Sequence, residues 1–323
     1  MEIKTTENYS KIILNVSLLL LYITVIFLSS SSNYVFAQEE SEPFPNSEFM
    51  EINNVLLHYR IFRTEEENTR GKILLVHGMG GSTFCWRENT DYLMENSYDI
   101  VAVDLPAFGY SDRQSGLEHS ATNRSHWLWG LLDYLDNKEF DGDEQWILIA
   151  HSAGGKTIGQ MALDRKEDIQ ALIYIAAAVY NSPPSLAIRL SGVWPLNHLF
   201  RFVIKNFILR EYQINRALES AYGRELSEEE LKEYIKTLRV DGTAGALLDM
   251  TKSSSLAMTE LEEIEIPSLL IWGEEDSWVP VEEGRKMEKE LSNARLELIA
   301  DSHHMPMVTD AEIVNELIVE FLR

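Results

Sequence analysis

The sequence of 323 residues contains a single cysteine, Cys85, and no internal repeat or low-complexity tract. One cysteine excludes an intrachain disulfide, so the fold depends on hydrophobic packing for its stability. It also argues against a dithiol redox centre or a cysteine-rich metal site. We therefore expect Cys85, in the stretch STFCWRE, to be a small apolar side chain in the core.

Positive charge is also scarce, since 28 Lys and Arg residues stand against 52 Asp and Glu residues and the formal net charge is −24. No Lys-rich or Arg-rich run offers a local exception. Because a phosphate backbone repels such a chain, nucleic acid is not an expected partner. The charge is typical of a well-solvated acidic surface.

Apolar runs that approach the length of a membrane span are lacking except near the amino terminus, at Ile12–Leu28. Small or apolar residues, Val35 and Ala37, stand three and one positions before Gln38, which is typical of a signal peptide covering residues 1–37. The run is near the lower length limit for a bilayer span, so an uncleaved anchor is the alternative. Both interpretations place the folded part outside the cytoplasm, and membrane contact is expected only through this segment if it is not cleaved.

Beyond the exported segment, the pattern of apolar residues predicts an α/β fold. EFMEINNVLLHYRIF alternates apolar and polar residues around Asn53 and Asn54, which predicts an antiparallel hairpin. Continuous apolar runs separated by helical stretches then predict a parallel sheet with helices on both faces, where ligands bind beyond the carboxyl ends of the strands. These runs are Ile73–Val76, Ile100–Val103, Ile147–Ile149, Ala171–Ala177, Leu269–Trp272 and Leu296–Ile299.

The segment 181–262 is too long for a crossover between two strands and is helical in pattern. It predicts a helical lid, or cap, inserted in a core formed by residues 38–180 and 263–323. Its aromatic side chains are typical of packing between lid and core. Three of them are also candidates to line a substrate pocket: Trp194, Phe200 and Phe207.

The stretch ILIAHSAGGKT fits two motifs with unrelated chemistry. From Ala150 to Thr157 it matches a phosphate-binding loop, G-x-x-x-x-G-K-[ST], with its first Gly replaced, and Asp104 is then a candidate Mg²⁺ ligand. From Ala150 to Gly154 it matches a nucleophile elbow, G-x-S-x-G, with the same replacement. In the elbow interpretation Lys156 is a solvated residue on the following helix. Both motifs follow a buried strand, so the local sequence leaves both open.

The carboxyl-terminal part of the chain favours the elbow. LLIWGEEDSWVP places Asp276 after one predicted strand, beside Glu274 and Glu275, and LELIADSHHMP places His303 and His304 after the next. A serine hydroxyl needs a histidine to accept its proton and a carboxylate to orient that histidine, and Ser, Asp, His is the chain order of hydrolases on this kind of sheet. Adjacent loop histidines without carboxylate-rich spacing predict no metal site.

From about residue 49 to the carboxyl terminus, the chain resembles the α/β-hydrolase superfamily in its lid-bearing branch. The matching segments are LLVHGMGGSTFCW, VDLPAFGYSDR, LIAHSAGG, LLIWGEEDSWVP and SHHMPM. The resemblance implies an eight-stranded, mostly parallel sheet and no cofactor. It implies Ser152 as nucleophile, Asp276 as acid and His304 as base, with the backbone N–H groups of Met79 and Ala153 as the oxyanion hole.

The sequence thus predicts an exported serine hydrolase that cleaves an ester, lactone or related acyl bond of a small molecule. Hydrolysis of a carbon–carbon bond in a diketone, or perhydrolysis, would use the same residues. A non-catalytic binding or signalling protein on a hydrolase scaffold is the alternative from another class. Since the protein is strongly negative, neutral substrates are expected unless an arginine is placed to receive an anion.

Overall fold

The computed structural model describes residues 43–66, 69–140, 144–180, 196–253 and 260–323. The predicted signal peptide, residues 1–37, and the candidate pocket residue Trp194 lie outside these ranges. None of the helices in these ranges is both long enough and apolar enough to cross a bilayer.

The chain enters the fold through the predicted hairpin, with strand β1 at Ser47–Ile52 and strand β2 at Val55–Phe62 paired antiparallel. Asn53 and Asn54 form the turn with φ angles of 51° and 63°. Two successive left-handed residues match the right-handed twist of the flanking strands, and asparagine tolerates that conformation better than most residues. The hairpin prediction is confirmed.

Six further strands extend the sheet in the order β1-β2-β4-β3-β5-β6-β7-β8. All pairs from β4 to β8 along this order are parallel, whereas β1 and β2 pair antiparallel with each other and β2 pairs antiparallel with β4. The predicted eight-stranded, mostly parallel sheet is therefore confirmed. The six strands are β3 Gly71–Val76, β4 Tyr98–Val103, β5 Trp146–His151, β6 Ile169–Ile175, β7 Ser268–Gly273 and β8 Ala294–Ile299.

Helices cover both faces of this sheet, which is why its central strands are apolar on both sides. Leu74 belongs to one core cluster with Leu128 and Ile158, and the adjacent Leu75 belongs to the other with Ile318. Each fully buried side chain of this size stabilises the fold by about 1.5–3 kcal/mol relative to exposure. The helices are α1 Thr90–Glu95, α2 Ala121–Lys138, α3 Gly154–Asp164, α4 Leu196–Val203, α5 Glu211–Tyr222, α6 Glu228–Leu238, α7 Thr243–Ser253, α8 Val281–Glu290, α9 Pro306–Thr309 and α10 Ala311–Phe321.

Helices α4 to α7 lie between β6 and β7 in the chain and form a helical insertion, which we define as residues 196–253. The insertion contacts loops that follow the carboxyl ends of strands. The Tyr110 hydroxyl after β4 donates to Glu233 Oε1 of α6 at 2.9 Å, and Arg113 Nε donates to Thr243 Oγ1 of α7 at 2.9 Å. The insertion is thereby held at the edge of the sheet where ligands of such folds bind.

Candidate active site

Ser152 lies in a sharp turn between β5 and α3. Its φ angle of 49° is left-handed, a conformation that costs free energy for a residue with a side chain. Gly154 permits the turn, because a Cβ atom there would lie 2.8 Å from the carbonyl oxygens of Val76 and His77. Ala150, which departs from the usual glycine, is fully buried in β5, so the sheet accommodates its methyl group.

The turn brings together the three residues that were predicted to form a triad. His304 Nε2 lies 3.1 Å from Ser152 Oγ, and His304 Nδ1 lies 2.8 Å from Asp276 Oδ2. All three residues are buried, whereas Glu274 and Glu275, the competing carboxylates, are exposed. A serine, a histidine and a carboxylate in this hydrogen-bonded order can transfer a proton from the serine hydroxyl to the imidazole.

Backbone donors and an aromatic ring fix the carboxylate and the imidazole. Asp276 Oδ1 accepts hydrogen bonds from the N–H groups of Trp278 and Val279 at 2.8 and 2.9 Å, which leaves Oδ2 for the histidine. The Trp278 ring stacks on the His304 ring with a centroid distance of 5.5 Å and an interplanar angle of 18°. Sequence reasoning missed Trp278, and its only signal was a position two residues after Asp276.

The backbone of His304 is also held on both sides. His151 Nε2 donates to the His304 carbonyl at 2.8 Å, and the His304 N–H donates to the Ala221 carbonyl of the insertion at 2.9 Å. Burial, and then the nearby His304 imidazole, hold the pKa of His151 well below its ordinary value, so His151 is neutral and acts by position. His303 is only partly buried.

The predicted oxyanion donors lie on either side of the elbow. Gly78 packs directly on it, because a Cβ atom there would lie 2.7 Å from Ser152 Cβ. Within the described ranges, no carbonyl or side chain accepts a hydrogen bond from the N–H of Met79 or of Ala153. Two backbone donors are therefore free for a ligand oxygen next to the serine.

His77 fixes the loop that carries Met79. Its Nε2 accepts a hydrogen bond from the Leu105 N–H at 2.9 Å, and its Nδ1 donates to the Gly78 carbonyl at 2.7 Å. Burial is the main cause that lowers the pKa of His77, and the neutral ring that results suits one accepting and one donating nitrogen.

The candidate pocket residues of the insertion differ in exposure. Phe200 in α4 is partly buried, whereas Phe207 is 51% exposed and packs edge-on against Phe202 with ring centroids 6.3 Å apart. Phe207 thus presents half of its surface to solvent. Since Trp194 lies outside the described residues, only Phe200 remains a sheltered candidate among the three.

Asp104, the candidate magnesium ligand of the phosphate-loop interpretation, forms hydrogen bonds within the fold. It is fully buried and accepts hydrogen bonds from His58 Nδ1 at 2.7 Å and from the backbone N–H groups of Thr83 and Tyr110 at 2.6 and 2.8 Å. These contacts tie β2 to the loops after β3 and β4. The carboxylate is therefore committed to holding these loops together.

Two other expectations concern single residues. Cys85 is buried, as expected. Lys156 was expected to be solvated but is partly buried on α3, and this burial lowers the pKa of its ammonium group. Its neighbours Gly155 and Thr157, in the first turn of the same helix, are buried as well. Across the part of the chain that the structure describes, no three His, Cys, Asp or Glu side chains gather as a metal site.

Comparison with known proteins identifies the family of this chain. A protein-family model described as serine aminopeptidase, S33, matches residues 67–311. The chain is 26% identical over 275 residues to the uncharacterized hydrolase YugF of Bacillus subtilis (strain 168), covering 84% of this chain and 96% of that protein.

Two further comparisons cover similar lengths. The chain is 25% identical over 283 residues to a 2-hydroxy-6-oxononadienedioate/2-hydroxy-6-oxononatrienedioate hydrolase of Burkholderia vietnamiensis, covering 83% of this chain and 91% of that protein. The crystal structure of bromoperoxidase from Bacillus anthracis aligns with a TM-score of 0.69 and 21% identity, over 85% of this chain and 99% of that one. The structural likeness is one of fold.

Proposed function

This chain belongs to the serine aminopeptidase S33 family of α/β-hydrolase-fold enzymes, and from that premise we propose that it hydrolyses an ester, lactone or related acyl bond. One observation carries the proposal: the hydrogen-bonded chain from Ser152 Oγ through His304 to Asp276, buried beside two unpaired backbone donors.

In the proposed reaction, Ser152 Oγ attacks the substrate carbonyl while His304 Nε2 accepts its proton. Asp276 holds the imidazole in the required tautomer and stabilises the imidazolium. The N–H groups of Met79 and Ala153 bind the developing oxyanion, a role in which each donor contributes about 10²–10³-fold in rate. His304 then donates its proton to the leaving alcohol and later takes one from water, which releases the acyl group.

A second reaction class uses the same residues. The Burkholderia vietnamiensis relative is named as a hydrolase of 2-hydroxy-6-oxononadienedioate, so carbon–carbon bond cleavage in a related compound is the competing proposal. A panel of p-nitrophenyl esters, lactones and vinylogous diketones, followed by mass spectrometry of the Ser152 peptide, distinguishes the two. An acyl adduct on Ser152 with ester or lactone turnover supports the first proposal, whereas turnover of diketones alone supports the second.

We propose export from the amino-terminal pattern. Residues 1–37 would be removed, and the mature chain would begin at Gln38. Intact-mass analysis of protein produced in a secreting host tests this directly. A mass that retains residues 1–37, with the protein in the membrane fraction, would support the anchor instead.

We also propose that the long-range charge of −24 favours uncharged molecules on approach. Exposed charges act through solvent over about a Debye length, so this effect weakens as salt is added. Rates with anionic substrates should therefore rise with ionic strength, while rates with neutral ones stay level.

A further inference from the structure

Arg124, in the first turn of α2, is buried, and its side chain has donors that find no partner among the residues that the structure describes. The residue is 6% exposed, and its Nε and Nη2 atoms meet no hydrogen-bond acceptor among the described residues. Burial lowers the pKa of Arg124 to about 10, so the guanidinium remains charged at neutral pH. A buried charge with unmet hydrogen bonds is costly, and proteins normally pair it.

Burial is the cause that shifts the pKa of Arg124, and no carboxylate among the described residues forms an ion pair with it. The segments 181–195 and 254–259, which lead into and out of the helical insertion, contain no Asp or Glu residue. Asp249 of α7 accepts a hydrogen bond from the Gly116 N–H at 3.0 Å and lies 3.5 Å from Arg201 Nη2. Asp249 thus has partners of its own, although its charge also acts on His119, and a carboxylate of another molecule could meet the unmet donors of Arg124.

His119 adds a second unpaired group close by. It is 2% exposed, and neither ring nitrogen has a hydrogen-bond partner in the described ranges. Burial, and then the positive charge of Arg124, lower the pKa of His119 to about 4. The neutral imidazole keeps one N–H to donate. The charge of Arg124 acts on His119, and a guanidinium together with an imidazole N–H can donate to the two oxygens of a carboxylate.

Helix α2, whose first turn carries Arg124, packs against α3, the helix that follows the elbow. After burial as the main cause, the charge of Arg124 contributes to lowering the pKa of both His77 and Lys156. His77 precedes the loop of Met79, and Lys156 is in the first turn of the helix that follows Ser152. The unpaired guanidinium is thus within electrostatic range of both elements that frame the serine.

We propose that Arg124 and His119 bind a carboxylate at the far end of the acyl chain, while the scissile carbonyl lies at Ser152. The substrate class is then a monoester or lactone derived from a dicarboxylic acid, and the assignment rests on the function proposed above. Neutral substrates were expected unless an arginine receives an anion, and Arg124 is that arginine in this proposal. The acidic surface slows the approach of the anion, and Arg124 holds its carboxylate once it is bound.

Binding can be tested without catalysis in the Ser152→Ala protein. Succinate, glutarate and adipate are titrated by calorimetry and thermal shift, with glutaramide as the neutral control. We expect one dicarboxylate to bind, and Arg124→Met in the same background to weaken it about tenfold to a hundredfold, the loss of a charged hydrogen bond. Arg165→Met, which removes an exposed guanidinium paired with Asp133, is the matched control and leaves binding unchanged.

Kinetics give the second test. Arg124→Met should lower kcat/KM for mono-p-nitrophenyl glutarate by the same factor and change that for p-nitrophenyl butyrate by less than threefold. The variant should keep or raise Tm, because it removes an unpaired charge. The assignment would be overturned if no dicarboxylate binds, or if chloride or phosphate binds equally well. It would also be overturned if Arg124→Met lowers kcat/KM equally for both esters, or if this variant fails to fold. Dicarboxylate binding without serine reactivity would instead refute the proposed function alone.

Discussion

Replacement of Glu230, in the helical insertion, by glutamine should lower the free energy of unfolding in a pH-dependent way. The Glu230 side chain is 10% exposed and lies between Arg224, at 2.8 and 3.0 Å, and Arg87. It also accepts the Ser227 N–H at 2.8 Å, and so closes a capping box at the start of α6. Hydrogen bonds from Arg224 are the main cause that lowers the pKa of Glu230 from 4.5 to about 2.

The magnitude follows from that pKa. At about 1.4 kcal/mol per pH unit, a fall from 4.5 to about 2 corresponds to about 3 kcal/mol of folding free energy. Arg224 is 44% exposed, so solvent screening reduces the expected value to about 2 kcal/mol. Because the folded-state pKa is lowered, the contribution is complete above pH 4.5 and is lost as the pH falls towards 2.

Urea unfolding of Glu230→Gln and wild type at pH 7 and pH 3, followed by circular dichroism, measures this contribution. We expect a loss of about 2 kcal/mol at pH 7 that shrinks by more than half at pH 3. Glu229→Gln is the control, since Glu229 is exposed on the same turn and should change stability by less than about 0.5 kcal/mol. An equal loss at both pH values would refute the electrostatic explanation.

Two further substitutions test the elbow and the imidazole. Gly154→Ala should destabilise the protein by about 2 kcal/mol or more, because the added Cβ would lie 2.8 Å from two carbonyl oxygens; an unchanged urea midpoint would contradict the turn geometry. Trp278→Ala removes the ring stacked on His304 and should lower kcat about tenfold with a smaller change in KM; wild-type kcat would show that the stack does not position the imidazole.

The sheet was predictable because its signal is local. Strands buried on both faces must be apolar at every position, so Ile73–Val76 and Ile147–Ile149 indicate their own structure without knowledge of their neighbours. The elbow and the order Ser152, Asp276, His304 are similarly visible, since each residue lies in the segment that follows a strand. The partial burial of Lys156 was not visible, because it depends on how the elbow helix packs.

The residues that surround the triad could not be predicted from the sequence either, because their contacts also depend on packing. Three features depend on elements that are distant in the chain but adjacent in space: Trp278 on His304, His151 on the His304 carbonyl, and the burial of Arg124. A histidine or an arginine in a helical pattern gives no indication of its partners. Only the packed structure separates a solvated arginine from a buried one.

The central claim is that Ser152 is an activated nucleophile, and fluorophosphonate labelling tests it without knowledge of the substrate. Digestion and mass spectrometry of the labelled full-length chain should place the probe on a single peptide containing Ser152. Labelling should disappear in Ser152→Ala and His304→Ala and persist in His303→Ala, the adjacent control. A probe on another serine, or undiminished labelling of Ser152→Ala, would contradict the account.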